Sequence, residues 1–281
     1  MSKSTTISFE FFPPKSAAAE SAMWEAVPEL AALNPKFMTV TYGAGGSTKG
    51  QTLQIAEKMA AEQPMPIASH LTFLTTERET LREYLEELWD RNVKHIVALR
   101  GDLPKDKSFD DFKGDEFYKT TPEFIADIVS RHPFEISVGA YPEKHPDAAT
   151  LTDDIQTLKD KLDAGGTRGI TQFFFDNEVY YRFMDQCAAA GISKPIVPGL
   201  VPIHDFNGLK RFAANCQANI PDWVGAKFEG LDNNPDEAYK IAVDLLVEQS
   251  LDLTKNGVDH IHYYTLNKAG ITREACKALS A

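Results

Sequence analysis

The chain has 281 residues and a net charge of −12 at pH 7, and hydrophobic residues make up 43% of it. This length is typical of one (β/α)8 barrel, and the composition supports a large core rather than a disordered chain. The acidic balance argues against nucleic acid or an anionic membrane as a partner. Any anionic ligand must therefore be met by a local cluster of Lys and Arg.

The cysteines and the hydropathy predict a protein of the cytoplasm. Cys187, Cys216 and Cys276 are widely spaced, which argues against a disulfide framework or a thiolate metal site. The first residues lack the apolar segment of a signal peptide, and no apolar run approaches the length of a membrane span. We therefore expect a soluble chain without a membrane partner.

Apolar and amphipathic segments alternate along the chain. The segments predicted to be strands are residues 7–12, 37–42, 66–73, 93–99, 135–141, 169–175, 195–201 and 259–264. The segments predicted to be helices are residues 16–33, 48–61, 77–91, 122–131, 151–164, 178–190, 207–218, 235–255 and 272–279. A helix after every strand predicts an α/β protein with a single (β/α)8 TIM barrel over residues 1–281. A flavodoxin-like sheet has fewer strands and a shorter chain, and it ranks second.

Three loops are candidates for ligand contacts, and two of them, at 100–104 and 106–120, are retained. The turn Arg100-Gly101-Asp102-Leu103-Pro104 follows the fourth predicted strand, where a parallel barrel places its chemistry, although Gly-Asp is also common in ordinary turns. The glycine-rich loop at 43–47 lacks the third glycine of a dinucleotide-binding fingerprint, so we interpret it as a flexible barrel loop. Residues 106–120 form a long polar loop of the kind that often contacts ligands.

Glu10 lies in the apolar segment 7–12 and is a candidate general acid. Burial among phenylalanines would raise the pKa of its carboxyl group, which would leave a proton available near neutral pH. A solvent-facing Glu10 on the first strand is the alternative. It is weakened because Phe9 and Phe11 would then share the opposite face, and the residues alone leave the two readings even.

His260 and His262 lie two residues apart on the last predicted strand, a spacing that metal ligands also use. A metal site would need further ligands on neighbouring strands, and the alternation with Ile261 fits an ordinary half-buried strand equally well. We therefore expect no metal.

Several motifs resemble those of bacterial methylenetetrahydrofolate reductases, in order and over nearly the whole chain. They are SFEFFPPK at residues 8–15, VTYG at 40–43, RGDLP at 100–104, AYPEKHP at 140–146, TQFFFD at 171–176 and YTLN at 264–267. The resemblance implies a TIM barrel with FAD at its mouth and without the regulatory region of the longer eukaryotic relatives. It also implies a ping-pong reaction in which NADH or NADPH reduces FAD and methylenetetrahydrofolate is then reduced to 5-methyltetrahydrofolate.

The resemblance also assigns roles to individual positions. Those that match the family's FAD contacts are Thr41, His70, Arg100, Gly101, Asp102, Tyr118, Tyr141, His145, Asp154 and Lys161. Glu10 resembles the general acid that helps to protonate N10 of the folate, and Asp102 resembles a carboxylate near the flavin and the pterin. Gln172 resembles an amide that hydrogen-bonds the pterin, and Phe212 an apolar surface shared by the folate and the nicotinamide.

Two positions depart from the family pattern. Lys268 stands where several relatives carry Arg near the folate, which replaces a bidentate contact with a point charge. Gly208 stands where some relatives have a polar amide, so one folate contact is expected to be missing.

Two other functions remain open at this stage. One is a pterin-binding barrel that transfers a one-carbon unit without redox chemistry, which would need no flavin. The other is a catalytically silent relative that binds folate or flavin within a complex. The joint presence of Glu10, Asp102 and Gln172 argues against the silent relative, and the family resemblance further predicts a homo-oligomer.

Overall fold

The computed structural model describes residues 5–42 and 49–280, so the predicted glycine loop at 43–47 lies outside the described residues. Within the described part of the chain, the strands join in one parallel sheet. They are β1 Thr6–Phe11, β2 Met38–Val40, β3 Ile67–Thr72, β4 His95–Leu99, β5 Glu135–Ala140, β6 Arg168–Thr171, β7 Ile196–Val197, β8 Gly199–Leu200 and β9 His260–Tyr264.

The sheet closes through a strand that proline divides in two. Its order is β7-β6-β5-β4-β3-β2-β1-β9-β8, and every pairing is parallel. The single strand predicted at 195–201 is interrupted at Pro198, which has no N–H to donate to a ladder. Its first half pairs with β6 and its second half with β9, so one chain segment joins the two sides of the sheet. The predicted α/β TIM barrel is confirmed.

Helices follow the strands around the outside of the barrel. They are α1 Ala17–Ala31, α2 Lys49–Glu62, α3 Arg78–Asp90, α4 Thr121–Arg131, α5 Leu151–Asp163, α6 Asn177–Ala189, α7 Phe206–Cys216, α8 Asp222–Lys227, α9 Pro235–Lys255 and α10 Gly270–Ala278. The sequence pattern did not predict α8, because six residues are too few to show helical periodicity. A short 3-10 helix, Phe109–Phe112, likewise lies inside the predicted loop 106–120.

The apolar core lies between the sheet and the helices. On β1, Phe9 and Phe11 are completely buried in this core, and they alternate with Ser8 and Glu10, which hydrogen-bond to side chains on the adjacent strands β9 and β2. Full burial of one Phe side chain contributes roughly 2 to 3 kcal/mol to folding. These two phenylalanines fix the direction of the first strand, and the alternation then directs Glu10 to the inside.

The inside of the barrel is unusually polar. Barrel interiors of this class are filled mainly by branched apolar side chains. Here the buried side chains of Ser8, Thr39, His95, Ser137 and His262 make hydrogen bonds to partners on other strands. Each such group must keep its partner, because an unsatisfied buried polar group costs about 1 to 3 kcal/mol.

Gly199 permits close approach of strands where the barrel closes. A Cβ atom at this position would lie 2.3 Å from the carbonyl oxygen of Thr171 and 2.6 Å from Cε2 of Tyr264. The backbone N–H of Gly199 donates to the hydroxyl of Thr171 at 2.8 Å, and the phenol of Tyr264 donates to the Thr171 carbonyl at 2.6 Å. The absence of a side chain at Gly199 therefore lets β8 and β9 both approach Thr171 of β6 closely enough to hydrogen-bond to it.

We expect Gly199→Ala to lower the free energy of unfolding by about 1 to 3 kcal/mol, because the added methyl group overpacks this junction. Urea denaturation of the two proteins measures the difference. Gly50→Ala is the matched control, since Gly50 is an exposed residue of α2 with nothing within 4 Å of the added carbon. The control should raise stability by up to about 1 kcal/mol, and equal effects of both substitutions would contradict the argument.

Candidate active site

Three strands direct polar groups toward one buried carboxylate oxygen. Glu10 is 6% exposed, and its Oε2 lies 3.1 Å from Nε2 of His70 on β3 and 3.5 Å from Nε2 of His262 on β9. The hydroxyl of Thr39 on β2 donates to the same oxygen at 3.4 Å. Glu10 therefore lies inside the barrel, and the solvent-facing alternative is wrong.

The environment changes the pKa of Glu10 in the direction opposite to the sequence expectation. Burial by itself raises the pKa, but His70 and His262 lower it more, through charge and hydrogen bonding, to about 2. Burial lowers the pKa of His262 despite the opposing effect of Glu10, so that imidazole is neutral at pH 7. The ligand-free site thus holds an ionised carboxylate that accepts a hydrogen bond from Thr39 and lies beside two histidine nitrogens, rather than a protonated acid.

A cavity of about 200 Å³ lies beside the carboxyl ends of β4 and β5. Five of the sequence-predicted cofactor residues line it: Arg100, Tyr141, His145, Asp154 and Lys161. The strand ends and the loops that follow them position these side chains, as expected at the mouth of a parallel barrel. The structure therefore brings half of the predicted cofactor set together at one place.

Burial disfavours the charged form of Lys161 in this cavity. Nζ of Lys161 donates to the carbonyl of Gly139 at 2.6 Å, and burial lowers the pKa of the ammonium group to about 8, although Asp154 opposes the shift. Arg100 donates to Asp147 at 2.6 Å, and burial also lowers the pKa of His145. A buried ammonium group such as that of Lys161 favours an anionic ligand, whose charge would replace the stabilisation that water supplied.

A second group of predicted residues borders the mouth near Glu10. Gln172 follows β6, and its backbone N–H donates to the carbonyl of Ala140 at 2.8 Å. The ring of Phe212 on α7 stacks on Phe173 at 5.3 Å and meets Phe12 edge-on at 6.3 Å. The three phenylalanine rings thus form an apolar surface near Gln172 at the carboxyl end of the barrel.

Cys216 connects these residues with the two carboxylates. Burial, and then the charges of Glu10 and Asp102, raise the pKa of its thiol to about 11, while a hydrogen bond with Gln172 opposes them. Glu10, Asp102 and Gln172 therefore all lie close enough to the thiol of Cys216, at the end of α7, to influence its pKa. The sequence reasoning missed Cys216, which no motif or spacing had singled out.

Other predicted residues lie elsewhere or act through the backbone. Tyr118 is buried against Phe73 and Phe124, and its hydroxyl donates to Asp127 at 2.6 Å, so its ring belongs to the core beside α4. Lys268 is exposed at the edge of a separate cavity of about 750 Å³.

Three further positions are ordered by their neighbours. The backbone N–H of Thr41 donates to Phe11 at 2.9 Å, which ties the residue to β1. Gly101 has φ +89°, and a Cβ there would lie 2.8 Å from Cβ of Thr72, so the turn requires glycine. The N–H of Gly208 donates to the Asp205 carboxylate at 2.8 Å and helps to begin α7.

Metal ligation and membrane insertion find no structural support in the part of the chain that is described. No group of three or more His, Cys, Asp or Glu side chains among residues 5–42 and 49–280 has an arrangement that could hold a metal ion. Within the same residues, no helix has both the length and the apolar character needed to cross a bilayer.

Comparison with known proteins identifies the family. The model of the family described as methylenetetrahydrofolate reductase matches residues 1–280. The chain belongs to the methylenetetrahydrofolate reductase family. It is 39% identical over 277 residues to the 5,10-methylenetetrahydrofolate reductase of Pectobacterium carotovorum, with 97% of this chain and 89% of that protein covered. It is 37% identical over 273 residues to the Escherichia coli enzyme, with 97% and 90% covered.

The fold is also found in a solved structure. An uncharacterized protein from Clostridium thermocellum that binds two copies of 5-methyl-5,6,7,8-tetrahydrofolic acid has a TM-score of 0.66 and 14% identity, covering 99% of this chain and 94% of its own. That likeness supports the fold. Family membership makes this chain a folate enzyme of one-carbon metabolism that reduces methylenetetrahydrofolate, as the resemblance in its motifs implied.

The barrel interior contains two histidines whose partners the sequence reasoning did not assign. His260 and His262 both point a ring nitrogen at the hydroxyl of Ser8, at 3.0 and 2.7 Å. A signal was available, since polar residues alternate with apolar ones on β1 and again on β9. Two adjacent strands with polar residues at every second position indicate a polar barrel interior.

The pH dependence of stability should report the low pKa of Glu10. That pKa is about 2 in the folded chain against 4.5 for a free carboxyl, so the stabilising contribution is complete above the higher value and is lost as the pH falls toward the lower one. We expect the stability difference between wild type and Glu10→Gln to shrink by roughly 2 kcal/mol between neutral pH and about pH 3. Urea denaturation across this window measures it. A difference that grows on acidification would contradict the assigned direction.

Proposed function

We propose that this reductase carries out a flavin-dependent, ping-pong reduction of 5,10-methylenetetrahydrofolate to 5-methyltetrahydrofolate, with NADH or NADPH as the electron donor. The observation that carries the proposal is the cavity lined by Arg100, Tyr141, His145, Asp154 and Lys161, which brings an arginine and a buried lysine together in a chain of net charge −12, with Asp147 and Asp154 beside them. Such a site suits the pyrophosphate of a dinucleotide, and Glu10 lies in the same barrel mouth.

The residues of the cavity fit FAD. Lys161 and Arg100 would hold the pyrophosphate oxygens, and Tyr141 would pack on an aromatic ring. The remaining positions proposed to contact FAD are Thr41, His70, Gly101, Asp102, Tyr118, His145 and Asp154. When bound, FAD supplies the hydride chemistry, accepting a hydride from the nicotinamide and passing it to the folate.

Glu10 is proposed as the general acid toward N10 of the folate, directly or through one water. In the ligand-free chain its carboxylate is ionised, so substrate binding must change its environment before it can act. A folate that covers the mouth removes the remaining water, and this desolvation favours the protonated form. Proton delivery to N10 then opens the five-membered ring to an iminium that can accept a hydride.

The neighbouring residues position the folate and stabilise its charge. The exposed carboxylate of Asp102 would stabilise the cationic iminium, which is the form that reacts. The amide of Gln172 would hydrogen-bond the pterin, and the stacked ring of Phe212 would face the folate or the nicotinamide in turn. Lys268 would offer a point charge near the folate's glutamate.

The homo-oligomeric state and the cytoplasmic location remain predictions. They are supported by the family resemblance and by three widely spaced cysteines, respectively. Light scattering of the purified protein would measure the first, and cell fractionation the second.

The absorbance spectrum of the purified protein tests the proposed cofactor and both half-reactions. We expect flavin bands that NADH or NADPH bleaches under anaerobic conditions and that methylenetetrahydrofolate restores. Lys161→Met should weaken FAD binding by about tenfold or more, because a buried ion pair with phosphate is lost. A colourless protein that FAD cannot reconstitute would contradict the proposal and would favour one-carbon transfer without redox chemistry.

Glu10→Gln tests the general acid. We expect the variant to bind FAD and to be reduced by NADH, while the rate of folate reduction falls by about 100-fold or more, because the amide cannot deliver a proton. Stopped-flow spectra of each half-reaction separate the two effects. Glu62→Gln, at the exposed end of α2, is the control. Folate reduction by the Glu10 variant at the rate of this control would remove Glu10 from the mechanism.

A further inference from the structure

Lys144 lies in the loop after β5 and uses its whole ammonium group on the backbone. Its Nζ donates to the carbonyls of His145 at 2.8 Å, Pro146 at 3.2 Å and Ala148 at 2.6 Å. An ammonium group has three N–H donors, so these contacts occupy all of them. This half-buried lysine therefore has no donor left for a ligand, although it immediately precedes His145, which lines the cavity of about 200 Å³.

The backbone of Lys144 has a conformation that a lysine adopts at a cost. Its φ is +79°, a region that is unfavourable for residues with a Cβ atom and open to glycine. The N–H of Lys144 donates to the carbonyl of Tyr141 at 3.0 Å, which closes a tight turn at this point. The three carbonyl contacts oppose the strain, so the side chain of Lys144 stabilises a loop that its backbone preference disfavours.

The segment that this ammonium group holds, residues 145–148, carries two residues that line the cavity of about 200 Å³, His145 and Asp147. The backbone N–H of His145 donates to the carboxylate of Asp154 at 2.8 Å, and that of Asp147 donates to Nδ1 of the His145 ring at 3.0 Å. The Asp147 carboxylate accepts a hydrogen bond from Arg100 at 2.6 Å. All three contacts depend on the shape of segment 145–148, because each uses a group on its backbone or a side chain that this backbone directs.

The ring of His145 keeps one donor for a ligand. Burial lowers its pKa, so the ring is neutral at pH 7 and carries a single proton. Since Nδ1 accepts the N–H of Asp147, that proton lies on Nε2. Among residues 5–42 and 49–280, no acceptor is hydrogen-bonded to Nε2, so this N–H is available to an anionic ligand of the cavity.

We propose that Lys144 is a positioning residue for the phosphate groups of the cofactor. Its ammonium group holds residues 145–148 in the shape in which His145 presents its Nε2 proton to the cavity and Asp147 keeps its contact with Arg100. The inference rests on the proposed binding of FAD, and it concerns affinity, because Lys144 contributes no donor of its own to the ligand. A loop that is ordered before binding loses less conformational entropy when the ligand arrives, which raises the affinity.

Two other roles for Lys144 predict different results. A cation that attracts the ligand through space is screened by salt, so its removal weakens the salt dependence of binding. A cation that only shapes the loop leaves that dependence unchanged. If the turn alone mattered, glycine would be the better residue at this position, because it adopts a positive φ without strain.

Lys194 provides a matched control. Its Nζ also donates to backbone carbonyls, those of Leu162 at 2.5 Å and Gly166 at 2.7 Å. Lys194 comes shortly before β7 and so lies at the amino-terminal end of the barrel, whereas the cavity lies beside the carboxyl ends of β4 and β5. Loss of either ammonium group removes the same kind of contact, but only Lys144 holds a segment of the cavity.

The dissociation constant of FAD tests the proposal in wild type, Lys144→Met, Lys144→Gly and Lys194→Met. Each protein is freed of FAD and titrated with it at two salt concentrations, and the quenching of flavin fluorescence reports binding. We expect both Lys144 variants to raise the constant by about tenfold with unchanged salt dependence, while Lys194→Met stays within about twofold of wild type. Wild-type affinity in Lys144→Gly, or a weaker salt dependence in both Lys144 variants, would overturn the proposal.

A second measurement uses the FAD-free chain and needs no activity. Nitrogen-15 NMR of the His145 ring at neutral pH should show the proton on Nε2 in wild type and in Lys194→Met. Lys144→Met should show a mixture of the two tautomers, because the loosened segment no longer keeps the N–H of Asp147 on Nδ1. The same tautomer in all three proteins would overturn the proposal. A wild-type protein that binds no FAD would instead remove the proposed function, and the tautomer comparison would still decide the role of Lys144.

Discussion

The structure depends on the burial of one carboxylate inside a barrel whose walls present hydrogen-bond donors to it. An isolated buried carboxylate would cost several kcal/mol in lost hydration. Glu10 avoids this cost because His70, His262 and Thr39 approach the same oxygen from three strands. The register of β1 with β2 and β9 is therefore tied to the chemistry, since a shift by one residue would replace Glu10 with a phenylalanine.

The same arrangement explains why the barrel interior is polar. Once a charge lies inside the barrel, the polar groups around it favour further polar neighbours, because most buried donors and acceptors in proteins are hydrogen-bonded. The hydroxyl of Ser8 is within hydrogen-bond distance of Nδ1 of His262, and Nε2 of His260 is within hydrogen-bond distance of the same hydroxyl. The apolar stabilisation that other barrels obtain from interior branched residues comes here from the layer between the sheet and the helices, where Phe9 and Phe11 are completely buried.

The sequence predicted the fold and the strand that carries Glu10 because both follow from local patterns. Alternation on residues 7–12 placed the two phenylalanines on one face and Glu10 on the other, as the structure confirms. The shift of its pKa was predicted in the wrong direction, because the deciding partners, His70 and His262, are distant in sequence and meet Glu10 only through the sheet. The phenylalanines next to Glu10 in the sequence point to the opposite face of β1, so they do not form the surroundings of its carboxylate.

Long-range contacts also explain what the sequence pattern missed around the mouth. Cys216 ends α7 without any motif, and only the barrel brings it near both carboxylates. The division of the seventh predicted strand at Pro198 was visible in the sequence, but its use in joining β6 to β9 depends on closure of the sheet. Motif resemblance singled out Arg100, Tyr141 and Lys161 as cofactor residues, and the structure places them around one cavity, whereas the ring of Tyr118 lies in the core.

The fold has opposite effects on the charges of Glu10 and Lys161. The carboxylate of Glu10 is stabilised in its charged form by the folded chain, whereas the ammonium of Lys161 is destabilised in its charged form by burial. A bound anion would relieve the lysine, because its charge replaces the lost hydration, so part of the free energy of binding is stored in the ligand-free fold. A covering substrate would do the reverse at Glu10, removing water from a stable anion and making it a better proton acceptor. Under the proposed function, binding would thus shift both groups toward the protonated form, in which Lys161 would hold the pyrophosphate and Glu10 would deliver a proton.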